Sequence, residues 1–287
     1  MPELPEVETI RRGLEPVLLN RRIAGVTVKR DGLRYPFPPG FAHRLQGRAV
    51  TALTRRAKFM LAALEGGETL IIHLGMSGSF LVEKTITDAD SAERRHDHVV
   101  LHLSDGPFIS YRDPRRFGFM DLTATADVPN SRHLSALGIE PLADDFTGGA
   151  LQRLFHKKSA PVKAALLDQR LVAGLGNIYV CEALYDAGLH PARAAASLTD
   201  TEAARLAGCI RDVLNRALKA GGSTLKDYRR ADGSGGYFQH DFRVYDREGC
   251  PCPRPGCRGT VRRMVQSGRS TFFCDRCQPE GRERVQG

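Results

Sequence analysis

Cys252, Cys257, Cys274 and Cys277 are the side chains whose type and spacing most directly imply chemistry. Five of the seven cysteines crowd into residues 250–277. Four residues separate Cys252 from Cys257, two separate Cys274 from Cys277, and sixteen lie between the pairs. Two close thiol pairs at that interval form the pattern of a zinc site rather than a disulfide framework. Four thiolates fill a tetrahedral zinc and leave no position for water, so the ion would be structural. Cys250 is a fifth candidate. Spacing alone leaves Cys250 and Cys252 open, and Cys252 is preferred because Pro253 and Pro255 can shape a ligand loop toward Cys257. Cys181 and Cys209 fall in helical patterns and read as small buried hydrophobes.

Anion binding is the second chemistry suggested. The formal charge is +9, yet the first 150 residues carry 19 basic and 19 acidic side chains, so the whole excess lies in the C-terminal half. A localised basic excess is the footprint of a polyanion-binding surface, with a solubility charge as the alternative. Gly174 and Gly176 precede Asn177, an effective N-cap, and backbone N–H groups at such a helix start can receive a phosphate. An ordinary glycine turn is the competing reading. Residues 221–236 contain five glycines and read as a mobile loop.

The elements that would position these groups change character along the chain. Val7, Ile10 and Leu14 give a short N-terminal helix that Pro16 bends or ends. From Ile23 to Leu122 come eight short runs rich in branched and aromatic residues (IAGVTV, AVTAL, KFMLAAL, TLIIHL, SFLV, HVVLHL, PFISY, FGFMDL), which predict a sandwich or barrel. The polar stretch 83–95 reads as an exposed connection. After Asn130 the texture is helical, with helices at 162–169 and 177–187 flanking RLVAGLG in a tight helix-turn-helix-like unit. Thr199 and Glu202 resemble a capping box for a further helix. TVRRMV and STFF form a hairpin inside the cysteine module, and its turn, QSGR, exposes Arg269.

Composition excludes other classes. With 41% hydrophobic and 26% charged residues the chain is of globular type rather than disordered or fibrous. No stretch approaches the roughly 20 apolar residues of a membrane span. The N-terminus carries carboxylates where a secretory signal needs a basic start and an apolar run, so export is not expected.

MPELPEVET, RRAKF, HLGMSG, DPRRFG, GLGNIY and the four-cysteine hairpin, in that order across residues 2–277, closely resemble bacterial formamidopyrimidine-DNA glycosylases. The resemblance implies an α+β architecture: a catalytic domain of N-terminal helix plus β-sandwich (1–130), a helix-two-turn-helix DNA-binding domain (131–236) and a zinc-finger module (237–287). It implies a bifunctional base-excision repair enzyme that removes oxidised purines, 8-oxoguanine and formamidopyrimidines, and then cleaves the abasic strand. Met1 would be removed and Pro2 would be the nucleophile, a secondary amine; an unperturbed α-amino group has a pKa of roughly 8, far below that of a lysine, so a useful unprotonated fraction exists near neutrality. Glu3 matches the acid/base residue, Glu6 a carboxylate organising the N-terminus, and Lys58 a phosphate contact beside the lesion that belongs with the catalytic set.

His73, His96, Asn177 and Arg269 match further phosphate contacts. For the two histidines, a hydrogen-bonded residue at a strand end is the competing reading. Met76, Arg115 and Phe117 match the residues that fill the hole left by an extruded base, with Arg116 beside them on the DNA. Core residues and a structural ion pair are the alternative. Lys226 falls in the segment that closes over the extruded base. The first cysteine pair departs from the family, being C-x4-C rather than C-x2-C. The resemblance further implies one structural zinc, double-stranded DNA with oxidised bases as partner, no membrane, and a cytoplasmic monomer. A glycosylase of the endonuclease VIII type, acting on oxidised pyrimidines, is the close alternative; LPEV, Met76 and the long glycine-rich loop favour the purine enzyme. A zinc-finger DNA-binding protein without catalysis is the distant one, and Pro2 with Glu3 argues against it.

Overall fold

The computed structural model describes residues 2–84, 94–223 and 235–280. The chain divides into two compact units, Met1–Ser135 with Ala217–Gln239, and Ala136–Arg216 with His240–Gly287.

The first unit opens with α1 (Leu4–Leu18), whose Leu4, Val7, Ile10, Leu14 and Leu18 are buried at three- and four-residue spacing. Pro16 does not end this helix. It stands in the last turn, where the missing N–H removes one bond near the end of the ladder. Eight strands follow: β1 (Ile23–Val28), β2 (Val50–Arg56), β3 (Phe59–Leu64), β4 (Glu68–His73), β5 (Ser79–Glu83), β6 (Asp97–Leu103), β7 (Phe108–Arg112) and β8 (Phe119–Ala124). They form two antiparallel four-stranded sheets, ordered β1-β6-β7-β5 and β2-β3-β4-β8. The expected sandwich is therefore present as two sheets. Met60, Leu64, Leu70, Ile72 and Leu122 from one sheet share a cluster with Ile23, Phe80, Val99, Leu101, Ile109 and Tyr111 from the other and with the buried face of α1. At roughly 1.5–3 kcal/mol for each fully buried side chain, this core is the main source of stability for the loops it carries. A short helix, α2 (Phe41–Leu45), follows β1, and the sequence patterns gave no sign of it.

The β5–β6 connection lies partly outside the described residues. Of its described residues Lys84 and Arg95 are exposed, whereas Arg94 is buried and pairs with Glu83 at 2.5 Å and with Asp97 at 3.4 Å, so it joins the strands on either side.

The second unit contains α3 (Gly148–Phe155), α4 (Val162–Leu167), α5 (Asn177–Ala187) and α6 (Asp200–Lys219), the last three residues of which group with the first unit. Glu202 accepts the Thr199 N–H at 3.0 Å while Thr199 Oγ1 accepts the Glu202 N–H at 3.3 Å, the reciprocal box read from sequence. Between α4 and α5, Gln169 holds the two-turn connection: its Oε1 accepts the Gly174 N–H and its Nε2 donates to the Leu167 and Leu175 carbonyls. β9 (Val261–Gln266) and β10 (Arg269–Cys274) form a hairpin whose two-residue turn, Ser267 and Gly268, has φ of 49° and 72°. Both values are those of the primed turns that match strand twist. Among the described residues no helix is long and apolar enough to cross a membrane.

Candidate functional site

Pro2, Glu3, Lys58, His73, Met76, His96, Arg115, Arg116 and Phe117 fall in the first unit; Asn177, Arg269 and the four cysteines of the hairpin fall in the second. Lys226 lies outside the described residues.

Pro2 and Glu3 are both buried at the start of α1. Glu3 is the N-cap, and Glu6, three residues on, returns its Oε2 to the Glu3 N–H at 2.8 Å. The other oxygen of Glu6 accepts the Ser223 N–H at 2.9 Å and the Ser223 hydroxyl at 3.2 Å. One buried carboxylate thus ties the beginning of the chain to a residue 217 positions away. Sequence reading assigned Glu6 to the N-terminus but could not find Ser223, because nothing local links them.

Lys58 occupies the two-residue turn between β2 and β3. Ala57 before it has φ of 53°, a left-handed conformation that a residue with a Cβ adopts at a cost. Lys58 is 7% exposed despite its charge. Its field reaches His73 at the end of β4. Burial, reinforced by the charges of Lys58 and Arg34, holds the His73 pKa down to about 4, so the ring is neutral at pH 7. His73 Nδ1 accepts the Gly75 N–H at 3.1 Å, which leaves the proton on Nε2. The ring is packed within 5.2 Å of Phe119 and 4.9 Å of Phe59. It can donate one hydrogen bond to a phosphate oxygen but brings no charge.

His96 stands apart, its Nε2 accepting from Arg95 at 3.0 Å. Its carbonyl accepts the Asp113 N–H, and His98 meets the Asp113 carbonyl at 2.9 Å, so this segment supports the loop that follows β7.

That loop, residues 113–118, interlocks with residues 73–78. Asp113 is fully buried; it accepts the Ser77 hydroxyl at 2.5 Å and the Gly118 N–H at 2.8 Å. Ser77 Oγ in turn accepts the Arg115 N–H at 3.1 Å. A Cβ on Gly75 would fall on the Phe117 carbonyl carbon, and one on Gly118 would fall on the Tyr111 hydroxyl, so only glycine permits this approach. Arg116 takes a left-handed φ of 58°. The result is a rigid platform from which Arg115, Arg116 and Phe117 project into solvent. Phe117 is 44% exposed, and the Arg115 guanidinium lies 5.1 Å from its ring centroid. A large exposed aromatic ring braced by an arginine is poorly explained as core and well suited to insertion between bases. Asp113 and Ser77, both within the motifs already quoted, are the residues that sequence reading passed over; a carboxylate directly before a proline-arginine turn was the available signal.

In the second unit Asn177 is the first helical residue of α5, and Gly176 is the N-cap. Asn177 is therefore not the cap expected from sequence; its Nδ2 donates to the Ser270 carbonyl at 2.8 Å. Lys163, 1% exposed on α4, converges on the same strand, donating to Thr271 Oγ1 at 2.6 Å and to the Ser270 carbonyl at 3.2 Å. Exposed Arg269, the first residue of β10, is therefore held through its neighbour by a buried ammonium and by the start of a helix. Glu182, in the middle of α5, accepts the N–H groups of Arg243, Val244 and Tyr245; burial nevertheless raises its pKa. Lys163 carried no distinguishing spacing and was missed.

The Sγ atoms of Cys252, Cys257, Cys274 and Cys277 all lie within 4.8 Å of one another. Cys252–Cys277, Cys257–Cys274 and Cys257–Cys277 are separated by 3.7, 3.8 and 3.3 Å. Ligands about 2.3 Å from a tetrahedral zinc stand about 3.8 Å apart, so the donor set fits that ion. Backbone N–H groups of Gly259 and Cys277 donate to Cys257 and Cys274, each at 3.3 Å, as thiolates require. Cys250 is not in the cluster; its backbone bonds Arg247 and Val261.

Three family models match the chain: the formamidopyrimidine-DNA glycosylase N-terminal domain over residues 1–120, the H2TH domain of the same glycosylase over 137–229, and the zinc finger found in FPG and IleRS over 249–279. The formamidopyrimidine-DNA glycosylase of Methylobacterium radiotolerans is 56% identical, covering 98% of this chain and 100% of its own. The crystal structure of the MutM (Fpg) protein from Thermus thermophilus is 44% identical with a TM-score of 0.85, over 98% of this chain and all of that one. A Lactococcus lactis FPG mutant solved in complex with DNA containing Fapy-dG is 32% identical with a TM-score of 0.86, over 97% of this chain and all of that one.

Proposed function

The chain belongs to the formamidopyrimidine-DNA glycosylase family, and from that membership we propose how its residues divide the work of excision. It is a base-excision DNA glycosylase for oxidised purines, with a structural zinc held by Cys252, Cys257, Cys274 and Cys277.

Removal of Met1 leaves the Pro2 nitrogen as a secondary amine. That nitrogen attacks C1′ of the damaged nucleotide, the oxidised base departs with the bonding electron pair, and opening of the sugar gives an iminium ion on Pro2. Glu3 serves as the acid/base on the ring oxygen and in later proton transfers. Loss of a C2′ proton expels the 3′ phosphate, and a second elimination expels the 5′ phosphate, which is the lyase activity. Lys58 and the Nε2–H of His73 receive the phosphate beside the lesion, and His96, Arg116, Asn177 and Arg269 receive others along the backbone. Met76 and Phe117 fill the vacated stack while Arg115 donates to the widowed base. The protein works as a monomer in the cytoplasm.

The observation that supports this division most directly is the interlock of residues 73–78 with 113–118, which projects Arg115 and Phe117 from the unit that also contains the buried Pro2–Glu3 start. Borohydride reduction during reaction with an 8-oxoguanine duplex tests it. The expected product is a covalent complex with the adduct on the Pro2 peptide; an adduct mapped to a lysine, or none, would reject the assignment.

A further inference from the structure

Tyr185 lies on the last full turn of α5, is 1% exposed, and packs with Cys181, Val244, Cys252, Val261, Phe272 and Cys274. Its hydroxyl is 3.3 Å from Cys252 Sγ. A buried hydroxyl needs a partner, and among the described residues this sulfur is the one it meets. A zinc-bound thiolate carries no proton, so the phenol must be the donor and the sulfur the acceptor. The other donors to these sulfurs described above are backbone N–H groups; Tyr185 is a side chain, and it comes from a helix outside the cysteine loops.

The C-x4-C interval supplies a second contact in the opposite direction. The Cys257 N–H bonds the Arg254 carbonyl at 3.0 Å, closing a turn with Pro255 and Gly256 at its centre, and this leaves the Arg254 side chain free to reach back to α5. The guanidinium lies 5.0 Å from the Tyr185 ring centroid and donates to the Tyr185 carbonyl at 2.8 Å and to the Asp186 carbonyl at 3.4 Å. It satisfies carbonyls at a helix C-terminus, where a cation is favoured. In this chain Arg254 lies within the four-residue interval between Cys252 and Cys257.

We propose that Tyr185 and Arg254 form an outer clamp on the zinc site, in which the phenol stabilises the Cys252 thiolate and the arginine fixes the phenol. Tyr185 is a positioning residue: it acts on the metal through Cys252. The longer first loop is then a functional part of the zinc module in this chain, because it contributes Arg254 to the clamp.

Tyr185→Phe in the full-length protein keeps the ring and its packing and removes one oxygen. Replacing zinc with cobalt(II) gives sulfur-to-metal charge-transfer absorption, which should move to longer wavelength in the variant, since a thiolate without its donor yields electrons more readily. Transfer of zinc to a colorimetric chelator should be about tenfold faster, the usual scale for removing an outer partner of a metal ligand. An unchanged cobalt spectrum with an unchanged transfer rate would overturn the proposal, since a merely packed tyrosine predicts both. Should Tyr185→Phe not fold, Arg254→Ala decides: a smaller shift in the same direction and roughly two- to threefold faster transfer support the clamp, and wild-type values overturn it.

Discussion

Arg115 and Arg269 are both exposed cations carried beside tight turns, but what lies beneath them differs. Under Arg115 stand a buried carboxylate, the Ser77 hydroxyl and a core of more than twenty buried apolar side chains from the two sheets, α1, α2 and Leu74. Under Arg269 stand a two-stranded hairpin, the Lys163 ammonium and four sulfurs. The hairpin cluster contains only seven buried residues, two of them zinc ligands. A region with a large core can hold a loop rigid with hydrogen bonds alone, whereas a small one requires a metal.

Metal removal breaks this comparison most strongly. Zinc binding to such modules is worth on the order of 10–16 kcal/mol, far more than the hairpin's own packing provides. Chelation should therefore unfold residues 249–279 and abolish tight duplex binding while the sheets survive, as judged by circular dichroism and a binding titration in parallel. Normal affinity in a verified metal-free sample would show that the hairpin needs no metal.

The reverse experiment strikes the first unit. Asp113→Ala leaves the Gly118 N–H and the Ser77 hydroxyl without their buried acceptor, at a cost of about 2–4 kcal/mol for the two groups. Urea unfolding should register that loss, excision should fall with it, and zinc content should stay at one per chain. A variant of undiminished stability would mean that the interlock rests on packing rather than on the carboxylate.

The smallest effect sharpens the comparison instead of breaking it. Arg269→Ala should weaken binding to damaged and undamaged duplexes equally and lower the salt slope by about one unit, as for any single phosphate contact. Altered lesion selectivity with an unchanged slope would turn Arg269 into a base reader.

The eight strands, the long helices, the Thr199–Glu202 box and the cysteine hairpin were legible because each depends on neighbours within one or two turns or a short loop. Sheet order was not, since placing β6 between β1 and β7 requires a pairing 75 residues apart, as the Thr27–His102 contact illustrates. Asn177 is one residue inside the helix that Gly176 caps, and the partner of its amide lies 93 residues away on β10, beyond the reach of local spacing. Lys163 looked like any surface lysine, and only the strand folded over it reveals a buried charge. Motif spacing nominated the candidate residues; some of the groups that hold those motifs come from distant parts of the chain.

The mutual fit of residues 73–78 and 113–118 also bears on how such a sequence can change over generations. A methyl group at Gly75 would meet the Phe117–Gly118 backbone, and one at Gly118 the Tyr111 hydroxyl and the His73 carbonyl, so neither can be added without displacing its neighbours. A lineage cannot repair such a change by one further substitution, because the obstruction at Gly75 is backbone rather than a replaceable side chain. Diversification of this protein is therefore expected to run through the edges of the sandwich and the stretch after β5, with the two loops inherited as a single block.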